Sequence, residues 1–413
     1  KDDKAEGHSN TVDVDTPEGV VPVDTGFIVY NVKNYPNLIK LFEHLKVETN
    51  ATDMSFSVSR NRGTFEYSGG SIRGLFAQIE NVLKPRFWKM LYEIVHFYKE
   101  GRLILKNDIT PDLSLGKYLE EQHYSDTFIH DHLLPMAAAI WSAPAETLKS
   151  HPLHSFLKFC DNHGLIQLAN RPQWRTVTGG SREYVQKILP SSSNKLCLNS
   201  SIVNILRSGN QVKLENRDGT SAAFDHVIIA THADQALKLL KNPTPEEVQL
   251  LGSFRYQRNQ AILHSDTRMM PLRRRVWSSW NYMNQNLESD RSHVYVSYWM
   301  NRLQNLNTTI PLFVTLNPPE LPHTSTIHRS FLYQHPIFDH QSILAQPKLW
   351  KIQGQRNTWY CGSYFGSGFH EDGIQSGLAV AEALGKVRRP WKIENESGRI
   401  ALPPNWNPPN NAA

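Results

Sequence analysis

His370 and Glu371 stand side by side at the end of a glycine-rich turn in the last seventh of the chain. An imidazole that titrates near neutrality, set beside a carboxylate, can take up and return a proton. The turn carries Gly362, Gly366 and Gly368 and follows Trp359 to Cys361, an apolar run that reads as a buried strand. Beyond it Ile374, Leu378, Ala381 and Leu384 recur at helical spacing, which predicts a helix from about Glu371 with that stripe as its apolar face. A strand, a glycine turn and a helix start can bring bare backbone N–H groups, here those of Asp372, Gly373 and Ile374, to the polar edge of a ligand. Taken alone, the stretch is equally an ordinary tight turn capped by Asp372, and the His–Glu pair an ordinary exposed corner.

Further candidates lie far away in sequence. Gly179-Gly180 precede a helix carrying Tyr184, Val185 and Ile188. A β-meander is predicted over Ile202–Leu206, Val212–Glu215 and Ala222–Phe224, with Gly209-Asn210 and Asp218-Gly219 as its turns. His226–Ala230 then reads as a buried strand, and Asp234–Leu240 as a short helix. Near the start, Asp24-Thr-Gly-Phe closes a predicted hairpin built on Val12, Val14, Val21 and Val23. Aromatic residues crowd a second set of strands: Trp280, Tyr282, Tyr298 and Trp299. They form either plain core or the roof of an apolar substrate cavity, with Met136 and Trp141 as its helical wall.

Three of these segments, in this order, resemble the flavin-containing amine oxidases and phytoene desaturases: Asp24–Asn37, Trp174–Ala233 and Thr358–Leu384. The style of Pro135-Met-Ala-Ala-Ala-Ile-Trp-Ser142 and Gly368-Phe-His-Glu-Asp-Gly373 is similar to bacterial amine-oxidase-like NAD/FAD-binding proteins, related to a domain fused to plant cyclopropane fatty-acid synthases. The resemblance implies a two-domain α/β fold with a mixed sheet, and FAD as cofactor. It implies FAD contacts at Gly7, His8, Thr25, Gly26, Val203, Ala230, Thr231, Gly362, Asp372, Gly373 and Ile374. It implies hydride transfer from a C–H bond of an apolar, fatty-acyl-like substrate to the flavin, with His370 and Glu371 handling protons. A non-catalytic flavoprotein-fold partner of a lipid-modifying methyltransferase, and a flavin-dependent desaturase or isomerase, remain alternatives.

One element of that family's pattern is not found. No Gly-x-Gly-x-x-Gly stands at a strand–helix junction. Glu6-Gly7-His8 resembles the Gly-Gly-His/Arg element that follows the family's ribose-binding acid. That register leads us to expect about thirty residues, one βαβ unit, upstream of Lys1.

The bulk properties narrow the rest. The 413 residues carry a net charge of +5, too small to suggest nucleic acid. The Arg273-Arg-Arg275 cluster is either a solvated edge or a contact for an anionic head group. Three scattered cysteines suit neither a disulfide framework nor a metal site and lead us to expect a reducing, cytoplasmic setting. No transmembrane segment is expected, and contact with a membrane surface stays open. Helical and β-rich stretches alternate, which predicts an FAD domain from residues 1–60, 172–245 and 345–390 and a substrate domain from 61–171 and 246–344. Residues 391–413, rich in Pro and Asn towards the end, read as a tail.

Overall fold

The computed structural model describes residues 3–107, 113–141, 148–167, 171–189, 196–284 and 294–406, the side chains of residues 140 and 141 excepted. The expected hairpin forms between Thr11–Thr16 and Gly19–Asp24, with Val12 opposite Val23 and Val14 opposite Val21. Alternation decides its placement: Val14, Val21 and Val23 are buried.

The largest sheet has seven strands, in the order Ile327–Ile337, Arg255–His264, Phe313–Leu316, Val294–Trp299, Trp280–Asn284, Phe56–Arg60 and Phe65–Ser68. Neighbours run antiparallel except Trp280–Asn284 with Phe56–Arg60. Phe56–Arg60 therefore belongs with strands assigned to the substrate domain, and a boundary at residue 60 would cut the hairpin it makes with Phe65–Ser68.

Helices cover one face of this sheet. Pro85–Asn107 buries Phe87, Met90 and Phe97. Ser114 caps Leu115–Glu121 by accepting a hydrogen bond from the Lys117 amide at 3.3 Å. Leu134–Trp141 is buried on all sides at Met136 and Ala137 to Ala139, and its small alanines let its backbone lie close to Trp280–Asn284.

A second core gathers round the meander, the helices Ala233–Leu239 and Pro245–Leu251, and the helix His370–Gly385, called here the terminal helix. Val227–Ile229 pairs in parallel with Thr358–Tyr360. The first of these strands is less buried than its sequence suggests, because Ile228 is 44% exposed. The segment read as a tail is packed as far as it is described. Ile400, Leu402 and Trp406 join the second core, and Trp406 meets Trp350 edge-on at 4.8 Å. Residues 407–413 lie outside the described residues.

Candidate functional site

The terminal helix overturns the expected apolar stripe. Its buried side chains are Glu371, Asp372, Gln375, Ser376, Ala379, Val380 and Glu382, while Ala381 is exposed and Ile374 and Leu384 are half-buried. Hydrophobic spacing cannot foresee this face, because its carboxylates are buried by being answered. Glu371 Oε1 accepts from the Asn37 amide at 3.0 Å and its side chain at 2.8 Å, and Oε2 from the Leu38 amide at 3.0 Å. It thereby caps the helix Pro36–Leu45. Burial raises its pKa. Asp372 accepts from the Ser367 and Phe369 amides at 3.0 and 2.8 Å and pairs with Arg399 at 2.6 Å. Glu382 pairs with Arg389 at 2.8 Å. The N–H groups expected to be bare are engaged as well, since the amides of Asp372 and Gly373 both bond the Phe369 carbonyl.

His370 faces a different neighbourhood. Its ring stacks on Phe27 at 4.0 Å, and Nε2 shares a 2.6 Å hydrogen bond with Tyr184 Oη, which bonds Ser9 Oγ in turn. Close by, His8 lies 5.5 Å from Tyr333 and 6.0 Å from His232, ring to ring. His232 stacks on Tyr256 at 4.3 Å. Tyr333 Oη bonds Thr25 and Asn10, both at 2.8 Å. His335 bonds Asn259 at 3.0 Å. Burial pushes His370 and His335 down to about 4, with His8 adding to both and His232 also to His335. It lowers His8 and His232 as well. Yet His8 is exposed, and His232, Tyr333, His335 and His370 each keep part of their surface open. A side chain that is both accessible and desolvated stands on the wall of a cleft. These imidazoles are neutral at neutral pH, so each offers one donor and one acceptor.

Close backbone passages join the segments beside these side chains. Asp24, buried, accepts from Thr11 Oγ1 at 2.6 Å, the Ser181 amide at 2.8 Å and Gln304 Nε2 at 2.9 Å, and so binds the hairpin to the Gly179-Gly180 turn. A Cβ on Gly180, whose φ is +91°, would stand 2.5 Å from Thr11 Cγ2. A Cβ on Gly26 would stand 2.2 Å from the His8 carbonyl oxygen, so Gly26 serves the approach of His8.

An apolar cluster reaches the cleft, with Met136, Tyr282 and Tyr298 buried and Trp280, Phe331, Tyr333 and Phe369 half-buried. Trp280, Tyr282 and Tyr298 lie on one sheet face and cluster with Met136, Phe331, Tyr333 and Phe369. Phe331 and Tyr333 stack at 5.8 Å, and Phe369 stacks on Phe159 at 5.1 Å. Trp280 Nε1 is buried with no partner among the described residues. Trp299 does not share this cluster. It lies on the opposite face, against Trp277 and Phe313. The Trp141 side chain lies outside the described residues.

The structure thus gathers His8, Thr25, Gly26 and His370, with Gly7 and Thr231 as direct neighbours of cleft residues in the chain. Val203 sits at a bulge, skipped between the pairs Ile202–Asn216 and Asn204–Glu215, which frees its backbone from the ladder. Gly362 is held by Ser376, and a Cβ there would strike the Tyr364 ring at 2.7 Å. Tyr184, Tyr333, His232 and His335 belong to the cleft; the sequence places Tyr184 only on its helix and does not single out the other three. The alternation Phe331, Tyr333, His335 is the signal that could have found two of them.

The cleft fits the ring end of a flavin. A Cβ on Gly373 would meet only the Ser363 amide nitrogen, at 3.8 Å, and one on Gly377 nothing within 4 Å, so this face of the terminal helix is left uncovered by the described residues. His232 Nδ1 is one of the buried polar atoms with no partner among them. A flat group with a polar rim answers such atoms. No group of three metal-ligating side chains occurs among the described residues.

Comparison with known proteins agrees with this geometry. No curated protein sequence is significantly similar to the chain. In fold it is similar to the CLA-producing fatty acid isomerase from P. acnes, with a TM-score of 0.61, 14% identity, and 90% of this chain and 88% of that one covered. It is similar to cyclohexylamine oxidase from Brevibacterium oxydans, with a TM-score of 0.63, 13% identity, and 93% and 92% covered. A reduced UDP-galactopyranose mutase shares the fold at a TM-score of 0.60 and 14% identity, over 97% of this chain and 91% of that one. The sequence model described as flavin containing amine oxidoreductase matches residues 2–272, well over half the chain, and the chain therefore belongs to that family.

Proposed function

We propose that this oxidoreductase, with FAD as its family's cofactor, oxidises a C–H bond of an apolar, fatty-acyl-like substrate. The observation that carries the reading is the half-buried apolar surface of Trp280, Phe331 and Phe369, backed by the buried Met136 and Tyr298 and adjoining the histidine cleft through Tyr333. A long apolar chain laid there gains about 25 cal/mol per Å² of buried surface. A fatty acid isomerase shares the fold.

A bound flavin supplies a hydride acceptor. Gly7, His8, Thr25, Ala230 and Thr231 would hold it, with the open helix face at Gly373 beside it and the freed backbone of Val203 at its far end. Phe27 fixes the plane of His370. Tyr184 and Ser9 join His370 in a hydrogen-bonded row that can pass a proton between the buried hairpin and the cleft. Glu371 is a positioning residue, because its oxygens hold the helix Pro36–Leu45 and the neighbouring Gln375.

The test is spectroscopic. FAD is titrated into the purified protein, and the oxidised-flavin band is followed anaerobically with unsaturated fatty acids, acyl thioesters and primary amines. Bleaching by acyl substrates supports the reading. Failure to bind FAD, or bleaching by amines alone, overturns it.

A further inference from the structure

A second surface feature lies round the edge strand Phe65–Ser68 of the seven-stranded sheet. Six large apolar side chains point into solvent there: Ile72 (78% exposed), Ile79 (74%), Leu83 (85%), Trp88 (49%), Tyr92 (70%) and Leu272 (75%). Singly such residues are ordinary, but a contiguous group is not.

The fold makes them neighbours. The short helix Ile72–Leu75 packs beside the 3-10 turn Arg274–Val276. The Leu272 side chain lies over Gly63, where a Cβ would come within 2.6 Å of it. The 3-10 turn Ile79–Leu83 leads directly into the helix that carries Trp88 and Tyr92. Trp88 rests against Phe76 at 5.8 Å and donates its indole N–H to the Val82 carbonyl at 2.8 Å, so it is held in place.

The charges around this patch are mostly basic, with Glu80 the exposed acid among them. Arg73, Arg86, Lys89, Arg274 and Arg275 are exposed beside it. Residues 60–92 hold six Lys and Arg against two Glu, and one of those, Glu66, is fully buried, where it accepts from the Leu272 and Arg273 amides. Exposed aliphatic tips, an indole and a phenol within a basic rim match the acyl boundary and head groups of an anionic bilayer. Aromatic side chains with one polar atom favour that interface. No helix among the described residues is long and apolar enough to cross a membrane.

We propose that this face docks the protein peripherally on an anionic lipid bilayer, with Ile72, Ile79, Leu83 and Leu272 entering the acyl boundary and the arginines and lysines at the phosphates. Attachment of this kind combines two weak terms, apolar insertion and charge, and needs both.

Flotation with phosphatidylcholine vesicles, with and without phosphatidylglycerol, tests it on the intact chain. Binding is expected to the anionic vesicles and to fall with added salt. Arg274→Gln/Arg275→Gln lowers it about thirtyfold, from about 1 kcal/mol per basic residue near a charged surface. Ile72→Ser/Ile79→Ser/Leu83→Ser abolishes it, while an unchanged melting temperature shows that these exposed positions leave the fold intact. Equal binding to neutral vesicles, no binding to either kind, or unchanged binding by the variants overturns the proposal. So does light scattering that shows a dimer which the triple variant dissociates, because the patch would then be covered by a second copy. None of these readouts depends on FAD or turnover, so they stand or fall apart from the proposed activity.

Discussion

The terminal helix and the cleft at its start bury polar groups in opposite ways. Along the helix, Glu371, Asp372 and Glu382 are almost wholly buried, and each is met by backbone amides or an arginine at 2.6–3.0 Å. In the cleft, His8, His232, His335 and His370 are desolvated but keep open surface, and His232 Nδ1 lacks a partner among the described residues. A polar face answered in full fixes architecture. One answered in part keeps hydrogen-bonding capacity for something else. The two lie next to each other because the helix must be immovable for the cleft to have a shape.

If that distinction is sound, its largest consequence lies with Arg389. Its side chain is fully buried, and Arg389→Ala takes from Glu382 its buried partner, leaving it only the half-buried Arg388 and the residue-389 amide, and removes a donor to Asn37. Loss of one partner of a buried pair destabilises by about 3–5 kcal/mol. Urea melts should show it, and a loss under about 1 kcal/mol would mean the helix face is not the anchor described here.

Asp24 stands between the two regimes. It is fully bonded, yet burial pushes its pKa up to about 6 from 3.8. A raised carboxyl pKa favours the folded state below pH 3.8, and that contribution is lost as pH rises towards 6, by about 3 kcal/mol in all. Asp24→Asn should remove this slope. It also turns an amide NH2 towards the Ser181 N–H and Gln304, at a cost of about 1–3 kcal/mol. Stability measured from pH 4 to 7 separates the two effects, and an unchanged slope would deny the desolvation.

His370 carries the opposite sign. Its pKa is lowered to about 4 from 6.5, so its contribution is present above pH 6.5 and lost as the pH falls towards 4. His370→Gln keeps a polar group beside Tyr184 and should change neutral-pH stability by only about 1 kcal/mol while removing the acid-side loss. In the FAD-loaded protein it should also move the pH profile of flavin reduction. A merely structural histidine would leave that profile where it was.

Local chemistry was legible in the sequence. The hairpin followed from alternating valines, and the meander from the turns Gly209-Asn210 and Asp218-Gly219. The strand Ile327–Ile337 was not, because as an edge strand it is half solvated and carries His328, Arg329 and Pro336. The use of Glu371 was hidden because its partner Asn37 lies 334 positions away. A separation of 186 positions likewise hid the pairing of His370 with Tyr184. The types of the cleft residues were visible, but their company was a product of the fold.

The smallest effect gives the sharpest division between the two regions, and it sits at Gly377. Glycine inside a helix is worse than alanine by about 0.5–1 kcal/mol, because it loses more backbone freedom on folding. A methyl at Gly377 meets nothing within 4 Å, so the unliganded protein has no steric objection to it. Gly377→Ala should therefore stabilise the unliganded fold by about 0.5–1 kcal/mol in urea melts. If the uncovered face is where the flavin lies, the same methyl takes up that space and FAD affinity must fall. Opposite signs from one substitution would show that the helix serves the core on one side and a ligand on the other. A gain in stability with unchanged FAD affinity would place the cofactor elsewhere and leave Gly377 a plain solvent-facing position.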